Sequence, residues 1–357
     1  MTQTRALPGA RSGVPADPVA APDRHRVGPP PPFDHELADP LRSVLRRLPM
    51  PLTPELIPSR RALTAAGNLS DADIRRDGSF EIEERPVPGP ADGPDLTLLI
   101  CRPTATPGPH GVIYNTHGGG MVAGSTRTAE LAGELDRAEE FQLAVVAVDY
   151  RLAPEHPDPA PVEDCYAGLL WVAEHAVELG FDPGRIIVSG NSAGGALAAG
   201  TALLARDRGG PALLGQMLQC PMLDDRCDAP SIAQMARVGL WDGLSDLAGW
   251  TALLGDRRGG PAVSPYAAPA RATDLTGLPP AFIDVGSAEA LRDEAIAFAS
   301  RIWQAGGEAE LHVWSGAFHS FDEWVPRAVV SRSARAARTA WLRRLLDRHA
   351  LSTADQR

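Results

Sequence analysis

The chain is short of positive charge, of cysteine and of long apolar runs, and each shortage removes a class of function. It carries 34 Lys and Arg against 45 Asp and Glu, a net charge of −11. Phosphate recognition needs a concentrated basic surface, so no nucleic-acid partner is expected. The one basic stretch, from Arg327 to Arg348, alternates arginine with Ala336, Ala340, Trp341 and Leu345 at helical spacing, and reads as the solvated face of a packed helix. Cys101, Cys165, Cys220 and Cys227 form no CxxC pair and no Cys/His cluster. That excludes a zinc knuckle and a disulfide framework, and it fits reduced thiols in the cytoplasm. No apolar stretch approaches the roughly 20 residues that cross a bilayer, so no membrane partner is expected. No GxGxxG follows the early strands, which argues against a dinucleotide enzyme. Neither a cofactor nor a metal is expected.

What remains is an ordinary globular balance of 44% apolar and 22% charged residues, enough for one large core. Residues 1–32 are rich in Pro, Ala, Arg and Asp without the apolar run of a secretory signal, and read as a disordered tail. Leu37, Leu41, Val44, Leu45 and Leu48 then recur at helical spacing until Pro49 and Pro51 interrupt them, and a second helix is expected over 54–66. Strand candidates at 80–87 and 96–101 open a regular alternation. Strands at 111–115, 143–148 and 185–189 precede helices at 126–140, 161–179 and 193–208. The strand at 215–220 leads into 223–280, which shows helical patches without a clear strand and reads as a lid or cap insertion, placed at about 223–262. Strands at 281–285 and 309–314 with helices at 291–304 and 326–349 complete the chain. Such alternation predicts an α/β fold whose mostly parallel, eight-stranded sheet is covered on both faces.

The chemistry concentrates at the ends of these strands. Gly190-Asn191-Ser192-Ala193-Gly194 has the GxSxG form between a strand and an alanine-rich helix. Glycines there permit a sharp turn that points the Ser192 hydroxyl off the sheet's C-terminal edge. The pattern alone is weak in so glycine-rich a chain; the strand before it and the helix after it give it weight. His117-Gly118-Gly119-Gly120 follows the strand ending at Asn115. Its backbone amides at Gly118 and Gly119, with that of Ala193, form a candidate oxyanion hole worth roughly 3 kcal/mol per donor. A phosphate-binding turn would want GxGxxG, or Lys with Ser or Thr after the glycines, and neither is present. His319 lies in the loop after the last strand, above the same edge, and is the candidate general base. The acid should follow the strand 281–285. Glu289 lies in the loop itself, whereas Asp293 and Glu294 fall in a first helical turn, where acidic residues already have a dipole-based explanation. Asp284 sits within the strand, and Asp293 is the fallback.

These motifs resemble the hormone-sensitive-lipase-like bacterial esterases of the α/β-hydrolase superfamily. The resemblance runs from about Val112 to the C-terminus. It rests on His117-Gly118-Gly119-Gly120 with Gly124-Ser125, on Asp149 to Pro157, on Gly190 to Gly195, on Leu223-Asp224-Asp225, on Ser264-Pro265 and on Gly316 to Phe321. It implies an α/β-hydrolase fold at 77–350 and a helical cap at 33–76. It also implies a serine carboxylesterase acting on small or short-acyl esters through an acyl-enzyme, with Ser192, Glu289 and His319 as its triad. Met121, Asn191 and Phe318 are the expected substrate-binding residues, and a homodimer is a possible assembly through the last strand and helix. Three residues depart from the family's pattern: Met121 stands where an aromatic is common, Asn191 where Asp is commoner, and Glu289 where Asp is usual. Glu155-His156 reads as part of a structural loop rather than a metal site, since neighbouring side chains diverge. An amide hydrolase, a secondary-metabolite-processing enzyme with the same triad and a non-catalytic binding homologue are the competing readings. Retention of Ser192, His319 and the glycine loop disfavours the last.

Overall fold

Strands that are apolar at every position have to be covered on both faces. In the computed structural model, which describes residues 27–48, 50–91 and 93–354, eight strands form one sheet. In chain order they are β1 (Phe80–Val87), β2 (Leu96–Pro103), β3 (His110–Thr116), β4 (Ala144–Val148), β5 (Phe181–Asn191), β6 (Gly215–Gln219), β7 (Ala281–Gly286) and β8 (Ala309–Trp314). Across the sheet the order is β1-β2-β4-β3-β5-β6-β7-β8. Only the pairs β1/β2 and β2/β4 are antiparallel. All the sites discussed below therefore share one C-terminal edge.

Helices α1 (His35–Leu45), α2 (Ile57–Ala66) and α3 (Asp71–Arg75) precede the sheet. Helices α4 (Leu131–Phe141), α5 (Ala160–Glu174), α6 (Ala176–Leu179) and α7 (Ala193–Asp207) connect the middle strands. Between β6 and β7 lie α8 (Pro230–Gln234) and α9 (Gly243–Leu254). Then α10 (Arg292–Gln304) joins β7 to β8, and α11 (Phe321–Trp324) and α12 (Val329–Ala354) end the chain. Because side chains alternate along a strand, Val112 and Tyr114 of β3 belong to one core while Ile113 belongs to the other. The first core takes in α5, α7 and α10; the second is closed by Leu131 and Leu135 of α4 with Trp341, Leu342 and Leu345 of α12.

Three expectations need correction. The helix expected over 126–140 starts only at Leu131, because 125–130 makes successive turns, with Thr128 N donating to Ser125 O and Leu131 N to Thr128 O. The helix expected over 161–179 divides at His175 into α5 and α6. In the last helix, Ala336 and Ala340 are exposed; the buried stripe runs through Ala334, Arg338, Trp341 and Leu345. The segments expected as cap and insertion hold α1 to α3 and α8 with α9. Of the expected tail, 1–26 lies outside the described residues. Among the described residues no helix is long and apolar enough to cross a membrane.

Arg338 is a charge within that stripe, and it is fully compensated. Its Nε donates to Asp284 Oδ2 of β7 at 2.9 Å and its Nη1 to Asp322 Oδ2 of α11 at 2.6 Å. The two carboxylates hold its guanidinium well above the usual arginine range against the burial that opposes it. Arg338→Met should leave Asp284 buried without a cation and Asp322 with Arg335 alone, at 3.5 Å. The expected loss is about 3–5 kcal/mol in urea denaturation, and a loss within error of zero would contradict this account.

Candidate active site

The chain leaves β5 at Asn191 and enters α7 at Ala193, so Ser192 alone makes the turn. Its φ of 59° and ψ of −121° lie where side-chain-bearing residues are rarely found. Backbone bonds hold it there: Ser192 N donates to Gln219 O at 2.8 Å, and Met222 N donates to Ser192 O at 3.0 Å. Glycine is obligatory around it. A Cβ on Gly194 would lie 1.9 Å from Thr116 O, and one on Gly190 would lie 2.3 Å from Gly194 O.

His319 and Glu289 reach this turn from the loops that follow β8 and β7. His319 Nε2 lies 2.9 Å from Ser192 Oγ, and its Nδ1 lies 3.2 Å from Glu289 Oε1. Gly286 N donates to the other oxygen of Glu289 at 3.0 Å, which fixes the carboxylate's orientation. All three side chains are buried. The other acidic candidates are engaged elsewhere. Asp293 accepts from Ser231 N and pairs with Arg292, and Asp284 belongs to the Arg338 network.

The glycine loop differs from expectation at one position. Gly118 N donates to Glu130 Oε1 at 2.5 Å, so Gly118 is withdrawn as an oxyanion donor. No protein acceptor among the described residues is paired with the amides of Gly119, Gly120 or Ala193. His117 does not face the reaction. It stacks on Tyr150 with 4.1 Å between ring centroids, and burial pushes its imidazole down to about 4. The Tyr150 hydroxyl donates to His117 O at 2.7 Å and braces the loop from behind. Glu155 is likewise structural, since it receives both terminal nitrogens of Arg61 from α2. The same guanidinium donates to Val122 O and Ala153 O and so ties α2 to the glycine loop.

A cavity of about 230 Å³ opens over Ser192 and His319. Leu48, Leu63 and Thr64 line it from the N-terminal segment, and Leu240 and Trp241 line it from the long connection between β6 and β7. Asn191 lines it as expected. Met121 and Phe318 do not, and their assignment as substrate-binding residues is corrected. Met121, at φ 61°, turns into the main core, and Phe318 packs edge-on against Phe33 behind His319. Two carboxyls that the sequence reading missed also face the cavity, Glu130 and Glu323. Burial, opposed chiefly by the Gly118 amide, pushes the Glu130 carboxyl up to about 7; burial and the nearby Glu130 carry Glu323 well above the carboxylate range. The sequence also showed no Cys/His cluster, yet ligating atoms of Cys220, Glu289 and His319 lie within 4.8 Å of one another. Burial keeps the Cys220 thiol protonated, so it offers a metal a poor ligand.

The profile of the family described as alpha/beta hydrolase fold matches residues 113–323, more than half of the chain. The chain belongs to the α/β-hydrolase family. Within it, the hormone-sensitive-lipase-like branch accounts for both the motifs and the relatives. Carboxylesterase NlhH of Mycobacterium tuberculosis is 37% identical over 272 residues, 76% of this chain and 77% of its own. Esterase LipI of the same species is 40% identical over 229 residues, 63% and 70% of the two chains. Among solved structures, one described as a bacterial heroin esterase superposes with a TM-score of 0.78 at 40% identity, covering 88% of this chain and 98% of that one. The protein is accordingly a carboxylic ester hydrolase.

The raised Glu130 carboxyl gives a pH test of the site's electrostatics. The unfolded chain releases this proton near its ordinary 4.5, the folded chain only near 7. Between those values the folded state holds more protons, so this group's contribution to stability falls as pH rises through the window. Glu130→Gln should therefore raise the melting temperature, relative to the unsubstituted protein, by more at pH 8 than at pH 5. Equal offsets in calorimetry at both values would remove Glu130 as the cause.

Proposed function

We propose that the enzyme cleaves small, short-acyl carboxylic esters through an acyl-enzyme formed on Ser192. The contact between His319 Nε2 and Ser192 Oγ at 2.9 Å carries this reading. His319 takes the hydroxyl proton as Ser192 attacks the ester carbonyl, and returns it to the departing alcohol. Water then attacks the acyl-enzyme by the same route in reverse. Glu289 fixes the imidazole with Nδ1 protonated and balances the charge that develops on it.

The negative oxygen of the tetrahedral intermediate is assigned to the amides of Gly119, Gly120 and Ala193, whose protons have no acceptor in the protein. Gly120 replaces the expected Gly118 in that role. The small substrate follows from the cavity, whose 230 Å³ falls below the roughly 300–1,000 Å³ of sites for drug-sized ligands. Residues 33–76 act as a cap over it, with Leu48 and Leu63 supplying apolar wall. Four free cysteines support a reducing, cytoplasmic location. β8 ends the sheet with an open edge, through which a homodimer would pair; light scattering that finds only monomer would reject that assembly.

Ser192→Ala should lower the turnover of p-nitrophenyl acetate by a factor on the order of 10⁶, and Glu289→Gln by about 10⁴. Release of p-nitrophenol by the alanine variant at an undiminished rate would end the assignment of the nucleophile.

A further inference from the structure

Ester hydrolysis by the triad leaves two groups in the cavity wall unused. Glu130 and Glu323 both line it beside Ser192 and His319, and Glu130 raises the proton affinity of Glu323. Several other buried carboxylates are matched by arginine, Glu134 by Arg137, Asp164 by Arg151, Asp225 by Arg271 and Asp284 by Arg338, while Asp246 and Glu294 rest on the Trp241 indole with the Cys227 thiol and on the Leu223 amide. Among the described residues neither Glu130 nor Glu323 forms an ion pair with Lys or Arg. Glu130 receives the Gly118 amide and the Thr128 side chain, and Glu323 receives Asn191 Nδ2 at 2.9 Å. Arg338 attracts Glu323 without a hydrogen bond to it, and its own hydrogen bonds go to Asp284 and Asp322. Arg60, which lines the cap side of the cavity, takes its electrostatic support from Asp242.

Aromatic rings complete the wall. Trp241 and Trp324 both line the cavity. Trp241 is fixed, since its Nε1 donates to the buried Asp246 at 3.2 Å and its ring blocks any side chain at Gly120. Carboxyl groups together with aromatic rings form the usual environment for a tetraalkylammonium or protonated amine. Holding two partly buried carboxyls in one cavity without a cation disfavours their charged forms, and a ligand that brought a cation would favour them.

We propose that the preferred substrates are esters carrying a quaternary-ammonium or protonated-amine centre a few atoms from the scissile carbonyl, with Glu130 and Glu323 as counter-ions and Trp241 and Trp324 as the apolar wall. The proposal rests on the ester-hydrolase reading of the same cavity and names its substrate class. It makes Glu130 and Glu323 determinants of specificity with no part in the bond-breaking steps.

Choline acetate and its neutral carbon isostere, 3,3-dimethylbutyl acetate, differ in charge at nearly constant shape, and 4-acetoxybutanoate supplies the opposite charge. The full-length enzyme should show kcat/KM for choline acetate roughly tenfold or more above that for the neutral ester, with the anionic ester poorest. Glu323→Gln and Glu130→Gln should each bring the choline-to-neutral ratio towards one; because the readout is a ratio, a general loss of activity cancels. Tetramethylammonium should compete with the neutral ester in the unsubstituted enzyme, a measurement that needs no variant to fold. A ratio near one, a ratio untouched by both substitutions, absence of competition, or preference for the anionic ester would each overturn the cation specificity while leaving the hydrolase intact. Failure to cleave any of the three esters, or equal cleavage by Ser192→Ala, would instead bring down the hydrolase reading and the proposal with it.

Discussion

One residue, Ser192, turns the chain from strand to helix in a backbone conformation that L-residues avoid, and the rest of the site is arranged around the support of that turn. Strain of this kind costs on the order of 1–3 kcal/mol and persists only where its surroundings over-determine it. Here the surroundings are the neighbouring strand, which supplies Gln219 O, and glycines packed against Thr116 and against each other. The parallel sheet does the remaining work. Loops after β3, β5, β7 and β8 all leave the same edge, so the glycine loop, Ser192, Glu289 and His319 converge although they are far apart in the chain.

Charge is handled differently on the two sides of this edge. Behind the turn, Glu134 is buried, and its Oε1 takes the Ser189 hydroxyl at 2.7 Å, the Gln219 amide at 2.9 Å and Arg137 at 2.8 Å. Arg338 similarly joins β7 to α11, the helix that begins just after His319, and thereby fixes the position of the imidazole loop. In both networks a buried carboxylate is paired with an arginine. On the cavity side, Glu130 and Glu323 line the cavity with no arginine paired to either among the described residues.

The sequence reading reached what depends on local pattern. Alternating apolar runs located all eight strands, and the GxSxG and HGGG motifs located the turn at Ser192 and the glycine loop after β3, because each motif needs glycine for a steric reason visible in the residues themselves. Glu289 was preferred to Asp293, the fallback, by its place in a loop rather than a helical turn; Glu289 lies against His319 Nδ1, and Asp293 accepts from Ser231 N. What escaped depends on distant segments meeting. Nothing near Glu130 announces that its carboxylate folds back to Gly118, twelve residues earlier, and takes an amide that the motif alone appoints to the oxyanion. Met121 and Phe318 were placed by analogy with neighbouring motif positions, but a positive φ turns one into the core and a contact with Phe33 draws the other behind the imidazole. Glu323 follows His319 by four residues, but Ser320 between them is left-handed at φ 57°, so no helical spacing announces that both face the cavity.

Asn191 stands between Glu323 and the loop that carries His319. An aspartate at this position would set a third carboxylate against Glu130 and Glu323, and their mutual repulsion would favour neutral, protonated forms. The amide instead donates to Glu323 through Nδ2 and accepts the Ser320 hydroxyl through Oδ1 at 3.1 Å, so it supports an ionised Glu323 and at the same time braces the residue after His319. Glu130 has a comparable double role, facing the cavity while holding the Gly118 amide next to the two amides assigned to the oxyanion. A cation bound between the two carboxyls would favour their ionised forms, and an ionised Glu130 accepts the Gly118 proton more strongly than a neutral one. Substrate charge and the rigidity of the oxyanion loop are then coupled through a single side chain.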